Sequence, residues 1–358
     1  MVEKLILVTG GAGFIGSNFI YYILDRKPNW KIVNLDDLTY AGQLENLNNI
    51  SNCNYTFIKG NICDQMLVER ILVDFSINTI VHFAAETHVD RSIENPDPFI
   101  ETNIVGTYKI LEACRKIWSN TNDFHGKRFH HISTDEVYGM LDKFSPAFTE
   151  NNCYLPNSPY SASKASSDHL VRAYYHTYNM PITISNSSNN YGPYQYPEKL
   201  IPLIIHNAVI GKHLPIYGLG NQIRDWLYVE DHCEAILSVL NDGKKGETYN
   251  IGGRIQISNI NLVNMICNLI DEYLPQSPKV PHKKLIKFIQ DRPGHDFRYE
   301  MNFSKIEIDL AWTPKHTLIE GLRKTIKWYL QNPEWMSIIT GNDEFKEMIC
   351  KFYENKEK

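Results

Sequence analysis

Lys4-Leu5-Ile6-Leu7-Val8-Thr9-Gly10-Gly11-Ala12-Gly13-Phe14-Ile15-Gly16 decides how this chain is read. A short apolar run ends in three glycines at three-residue spacing, and an amphipathic stretch begins at Phe14. Strand, tight turn and helix in that order form a dinucleotide-binding signature. The glycines serve the turn, the close approach of backbone to a pyrophosphate, and the packing of helix on strand. The helix N-terminus then presents unpaired amides to the phosphates. A glycine-rich turn that binds nothing is the alternative. Against it stands Asp36, at the end of the next apolar run, where a carboxylate accepts hydrogen bonds from ribose hydroxyls and repels a 2′-phosphate. No arginine stands beside it, so NAD is expected rather than NADP. Asp37 either adds to that charge or is a solvated loop residue.

Outward from this segment, strands are expected over 4–9, 31–35, 55–59, 79–83, 128–133 and 182–185, with helices over 14–26, 65–75 and 98–117. Apolar strands separated by helices predict an α/β fold of the Rossmann type, a doubly wound parallel sheet covered on both faces. Beyond residue 185 glycine and proline become denser. Helices over 200–210, 231–240, 259–273 and 317–330 are linked by short strands such as 248–252. These predict a smaller α+β region that binds substrate. The expected division is a cofactor-binding domain over 1–185, completed by part of 225–252, and a substrate-binding region over 186–358. The polar end, 354–358, is expected to fray.

The 358 residues are 43% hydrophobic and 22% charged, which suits a globular protein with a sizeable core. A net charge of −5 without a basic block argues against nucleic acid as a partner. No apolar run is long enough to span a bilayer, and 5–8 is too short for a signal-peptide core. Seven cysteines without a Cys-x-x-Cys pair suggest reduced thiols in a cytoplasmic protein. No His-x-x-x-His pattern occurs among the 13 histidines, so no metal site is expected.

Ser158-Pro159-Tyr160-Ser161-Ala162-Ser163-Lys164 places a tyrosine and a lysine at i, i+4, with proline suited to a first helical turn. A phenol needs its pKa lowered by about three units, roughly 4 kcal/mol, to act as a base near neutrality. A lysine ammonium within ~6 Å, together with a positive nicotinamide ring, supplies that stabilisation. Ser133-Thr134-Asp135-Glu136 falls beyond the carboxyl end of the fifth strand, where ligands bind in open parallel sheets. Asp135 and Glu136 are either a charged loop or an acid–base pair. The second reading requires one carboxyl to stay protonated while the other ionises.

With these segments, and with Ala84 to Ser92, Asn189-Asn190-Tyr191-Gly192-Pro193, Pro197 to Pro202, Arg224-Asp225-Trp226 and Asp291 to His295, nearly the whole chain resembles one family. It is the extended short-chain dehydrogenase/reductases, and within them the dTDP-glucose 4,6-dehydratases. The resemblance implies that Tyr160 takes the 4-hydroxyl proton of a nucleotide-linked glucose while hydride leaves C4 for NAD. Glu136 then removes the C5 proton, Asp135 protonates the departing C6 hydroxyl, and hydride returns to C6. Thr134 is implied near the 4-oxygen, and Lys164 at the nicotinamide ribose. Cofactor contacts carried over are Gly10, Gly13, Phe14, Ile15, Gly16, Asp36, Asp37, Thr39, Gly42, Asn61, Ile62, Ala84, Ala85, Glu86, Thr102 and Asn190. Substrate contacts are Thr87, Asn189, Glu198, Lys199, Leu200, Pro215, Tyr217, Arg224, Asn259, Arg292 and His295. Arg224 suits a diphosphate because a guanidinium bonds two oxygens at once. Homodimers are usual among such relatives.

An aspartate directly before Glu136 separates the glucose-nucleotide dehydratases from related decarboxylases and epimerases. A UDP-glucose substrate stays open, since thymine and uracil differ by one methyl, worth ~1 kcal/mol in a pocket. A non-catalytic NAD-binding partner protein is the reading from another class, and the complete set of reactive residues argues against it. Two positions depart from the family pattern. Asn61 stands where aspartate is usual near the adenine, and Asp37 where bacterial members often have lysine.

Overall fold

The computed structural model of the chain describes residues 4–119 and 124–354. The amino-terminal half runs β1 (Leu5–Thr9), α1 (Phe14–Arg26), β2 (Lys31–Asp36), β3 (Tyr55–Lys59), α2 (Gln65–Asp74) and β4 (Thr79–His82). It continues through α3 (Val89–Glu94), α4 (Asp97–Phe99), α5 (Thr107–Ser119), β5 (Arg128–Thr134), α6 (Pro159–Tyr178) and β6 (Ile182–Ser187). Then come β7 (Asn189–Tyr191), α7 (Leu200–Ile210), β8 (Leu214–Tyr217), β9 (Ile223–Tyr228), α8 (Val229–Asp242) and β10 (Thr248–Ile251). The remainder is β11 (Gln256–Ser258), α9 (Asn259–Tyr273), β12 (Ile286–Ile289), α10 (Ser304–Leu310), α11 (Leu318–Gln331), α12 (Pro333–Gly341) and α13 (Asp343–Phe352).

The main sheet has seven parallel strands in the order β10-β6-β5-β4-β1-β2-β3. Side-chain alternation along β1 sends Ile6 and Val8 into a core with α1 and α8, and Leu7 into a core with α2, α5 and α6. Both faces are therefore covered, as the uninterrupted apolar strands predict. The order reverses between β1 and β4, and the crevice at that point opens where the carboxyl ends of the strands lie.

The seventh strand comes from far along the chain: β10 pairs with β6, at register Thr248 with Ile184. Helix α8 likewise joins the sheet layer, through Val229, Cys233, Ile236 and Leu240. The expected single helix over 98–117 is divided into α4, a π-helical stretch Ile100–Gly106 and α5. The terminal run expected to fray lies outside the described residues apart from Glu354. Among the described residues no helix is long and apolar enough to cross a membrane.

A second core gathers α7, α9, α11, α12 and α13 around β8 and β9. One buried contact fastens it to the cofactor side: Trp335 Nε1 donates to Asn46 Oδ1 at 2.8 Å. Asn46 Nδ2 in turn donates to the Ala12 carbonyl at 2.8 Å, inside the glycine-rich turn. Trp335→Phe leaves the Asn46 oxygen buried without its donor. The expected outcome is a loss of about 1–3 kcal/mol in urea-unfolding free energy, with the fold kept.

Candidate active site

Gly10 starts the cleft, with φ +72°; a Cβ there would sit 2.6 Å from the Ala84 backbone. At Gly16 a Cβ would meet the Gly10 carbonyl oxygen at 2.3 Å, so α1 approaches the turn only because this residue is glycine. Gly13 caps α1 without a side-chain hydrogen bond, which leaves the first-turn amides to the cleft. Asp36 closes the far side of the turn. Its carboxylate accepts from the amides of Ala12 and Leu38, each at 2.8 Å.

The cleft encloses about 320 Å³ and is lined by every residue named above as a cofactor contact or reactive group. Thr87, Asn189, Glu198 and Lys199 line it as well. Ser133, in the segment expected beyond the fifth strand, lines it too, and so do Leu35, Phe83, Ile132 and Ser187, at or just past strand ends and not among the expected contacts. The rule that places ligands at the carboxyl ends of strands identifies them. Gln195 and Tyr196 were also missed, and no local pattern marks them.

The remaining expected substrate contacts lie outside this lining, in an adjoining zone. Leu200 begins α7, Pro215 and Tyr217 lie on β8, Arg224 on β9, Asn259 begins α9, and Arg292 and His295 follow β12. Tyr217 packs edge-on against His295, and Arg292 Nη1 lies 3.7 Å from Asp90 Oδ2. Arg224 differs from its expected free fork. Its guanidinium donates to the carbonyls of Ile223, Asp296 and Phe297 and stacks on Tyr299.

Helix α6 is set by a capping box, Ser158 with Ser161, and by Pro159 in its first turn. Tyr160 and Lys164 therefore leave one face toward the end of β5. The Lys164 ammonium donates to the Ile132 carbonyl at 2.8 Å, and burial lowers its pKa to about 8. Tyr160 hydrogen-bonds with Thr134, yet burial and the Glu136 charge push its hydroxyl well above the ordinary phenol value. Burial and the neighbouring carboxyls thus oppose the depression expected from the Tyr160–Lys164 spacing.

Asp135 is 2% exposed, and burial followed by the charges of Glu136 and Asp225 raises its pKa well above the usual carboxyl range. Glu136 is also raised by burial, but Arg292, Arg224 and Lys199 all pull it down. Both carboxyls are thus raised, Asp135 well beyond the usual range, while the cations restrain the rise at Glu136 and make it the more readily ionised of the two. Buried oxygens of Asp135, Asn189, Gln195 and Glu198 have no hydrogen-bond partner among the described residues. Unpaired polar atoms converging on one cleft fit a hydroxyl-rich ligand.

The two departures prove to be one contact. Asn61 Nδ2 donates to Asp37 Oδ2 at 2.8 Å, while Asn61 Oδ1 accepts from the Cys63 amide at 2.8 Å. A free acceptor at Asn61 is therefore half-used before any adenine arrives.

Residues 7–325 match the family model described as GDP-mannose 4,6 dehydratase. A dTDP-glucose 4,6-dehydratase of Shigella flexneri is 51% identical, over 98% of this chain and 99% of that protein. A solved dTDP-glucose 4,6-dehydratase of Bacillus anthracis, in complex with NAD, is 44% identical with a TM-score of 0.83, covering 94% of this chain and 100% of that one. DesIV, a dTDP-glucose 4,6-dehydratase of Streptomyces venezuelae solved with NAD bound, is 40% identical with a TM-score of 0.85, at the same coverage. With the seven-stranded parallel sheet, the glycine-rich turn and the cleft described above, the chain belongs to the dTDP-glucose 4,6-dehydratases of the epimerase/dehydratase family.

Proposed function

We propose that the cleft converts dTDP-glucose to dTDP-4-keto-6-deoxyglucose and water, as an NAD-dependent hydro-lyase. The observation that carries this reading is the Asp135–Glu136 pair beside Tyr160, with Asp135 raised well above the usual carboxyl range and three cations restraining the rise at Glu136. The uncapped first turn of α1 and the Asp36 carboxylate fit NAD, with its pyrophosphate on the helix and its ribose on the acid. Bound there, NAD supplies the hydride acceptor for C4 and the hydride donor for C6.

The protein's own groups move the protons. Tyr160 takes the proton of the 4-hydroxyl, held by Thr134. A ketone at C4 acidifies the C5 hydrogen, so oxidation precedes elimination. Glu136, the more readily ionised carboxyl because three cations restrain the rise that burial causes, takes that proton. Asp135, kept protonated by burial and by Glu136, gives its proton to the C6 hydroxyl as water leaves. Glu136 returns its proton to C5 as C6 is reduced. Arg224 and Arg292 lie in the zone beyond Glu136 and suit the diphosphate. For Arg224 this role requires exchange of backbone carbonyls for phosphate oxygens.

The same reading gives residues 1–185, with α8 and β10, to the cofactor and most of the rest to the sugar nucleotide. A cytoplasmic homodimer fits the reduced thiols and the exposed Ile100 and Tyr108 on the α5 side of the sheet. Light scattering during size-exclusion chromatography is expected to give twice the chain mass of 41.5 kDa.

Purified protein is expected to turn over dTDP-glucose faster than UDP-, GDP- or CDP-hexoses. In deuterium oxide the product is expected to carry label at C5. Absence of a 4-keto-6-deoxy product from every glucose nucleotide overturns the proposal. Tyr160→Phe is expected to abolish oxidation at C4. Asp135→Asn is expected to keep hydride transfer and slow water loss by about 10²–10⁴-fold in single-turnover kinetics. Water loss at the wild-type rate removes Asp135 from the acid role.

A further inference from the structure

One buried charge behind the cleft has no part in the chemistry above. Asp168 follows Lys164 by one turn of α6, so Tyr160, Lys164 and Asp168 share a face at i, i+4 and i+8. Asp168 is 0% exposed and Lys164 4%. Its Oδ2 accepts from Ser133 Oγ and from Tyr154 Oη, each at 2.9 Å. Its Oδ1 has no hydrogen bond among the described residues and lies 3.2 Å from His131 Nε2. That nitrogen is 3.5 Å from the Lys164 ammonium, so carboxylate and ammonium flank one imidazole.

We propose that Asp168 is a positioning residue for Lys164: its carboxylate is the buried counter-charge that keeps the lysine an ammonium ion beside Tyr160. This rests on the function proposed above, with Lys164 acting as the cation on the Tyr160 face of α6. Burying either ion alone is costly, and together they leave the interior neutral. His131 cannot share the task as a cation, because burial and Lys164 hold its pKa far below the ordinary value. His82, whose ring centroid is 5.2 Å from that of His131, is held neutral in the same way. Tyr138, Tyr154 and His169 face Asp168 from neighbouring positions, and Glu136, Asp135 and Asp168 itself raise Tyr160. Burial brings Lys164 down to about 8, and Asp168 is the group that pulls it back up. Burial raises Asp168 to about 6, with Lys164 holding it down.

The competing account makes Asp168 a fastener, tying α6 to Ser133 and Tyr154 by hydrogen bonds alone. The sign of the titration separates the two. Lys164 acts as a cation, so activity falls as pH rises through its pKa. Removing the negative charge lowers that pKa and moves the alkaline limb of kcat toward acid. Asp168→Asn keeps the shape and an acceptor oxygen, whereas Tyr154→Phe removes a hydrogen bond and keeps the charge.

The test is the Cε resonance of Lys164 in protein carrying 13C-lysine, assigned with Lys164→Met and followed against pH. In Asp168→Asn the midpoint is expected to fall by roughly one pH unit or more, and the limb of kcat to follow with little change in KM. Tyr154→Phe is expected to titrate as wild type. An unmoved midpoint in Asp168→Asn, or an equal shift in Tyr154→Phe, overturns the proposal. Should the Asn variant fail to fold, Lys164→Met gives the reciprocal reading, in which the Asp168 carboxyl must titrate higher than in wild type. The resonance needs no substrate, so a wild-type protein inactive on dTDP-glucose overturns the function proposed above and leaves this inference to stand or fall separately.

Discussion

The hydrogen bond from the Lys164 ammonium to the Ile132 carbonyl fixes helix α6 against the end of β5, and the reactive groups are arranged around it. Thr134, Asp135 and Glu136 follow Ile132 with only Ser133 between, while Tyr160 precedes Lys164 by one helical turn. One register therefore brings a phenol, a hydroxyl and two carboxyls to the same crevice. Strand and helix are each stiffened elsewhere, the strand by neighbours on both sides and the helix by its capping box. Asn103 adds a third tie, donating from the π-helical stretch to Ser163 on α6 and to the Glu86 carbonyl at the cleft. Irregular helical turns often mark such positions, because the widened turn aims a side chain that a regular helix would bury elsewhere.

Burial gives the site its chemical character. Desolvation alone favours the neutral form of every acid and base in it, so neighbours decide which group escapes. Glu136 has Arg292, Arg224 and Lys199 on its side, whereas Asp135 has mostly other carboxylates. Two adjacent residues with the same functional group thus acquire unlike proton affinities. Tyr160 lies among these pulls, raised by burial and by the charges of Glu136, Asp135 and Asp168.

Local patterns made much of this legible in the sequence. The Gly10–Gly13–Gly16 spacing, the acid at 36 and the i, i+4 pair at 160 and 164 are short-range signals, and each residue lines the cleft. What stayed hidden depends on contacts between distant segments. Part of 225–252 is expected to complete the cofactor-binding domain, but the place of Thr248–Ile251 beside β6 in the main sheet comes only from the pairing itself. Gln195 and Tyr196 reach the cleft because a loop folds back, and spacing does not encode that. Arg224 carried the right chemistry for phosphate, yet backbone carbonyls compete for its donors. Asp37 and Asn61 read as two unrelated oddities until the fold set them 2.8 Å apart. Helix α13 carries Phe345, Met348, Ile349 and Phe352 at i, i+3, i+4 and i+7, a local helical signal that the expected elements above nevertheless omit.

The Trp335–Asn46–Ala12 contact spans 289 positions between tryptophan and asparagine. A ribosome releases the glycine-rich turn early, but the indole that secures its supporting loop emerges only near the end of translation. Pairings this remote in sequence form late and slowly. The segment that recognises the dinucleotide is thus assembled first and locked last, so a nascent chain halted before α12 carries the signature turn without its final brace.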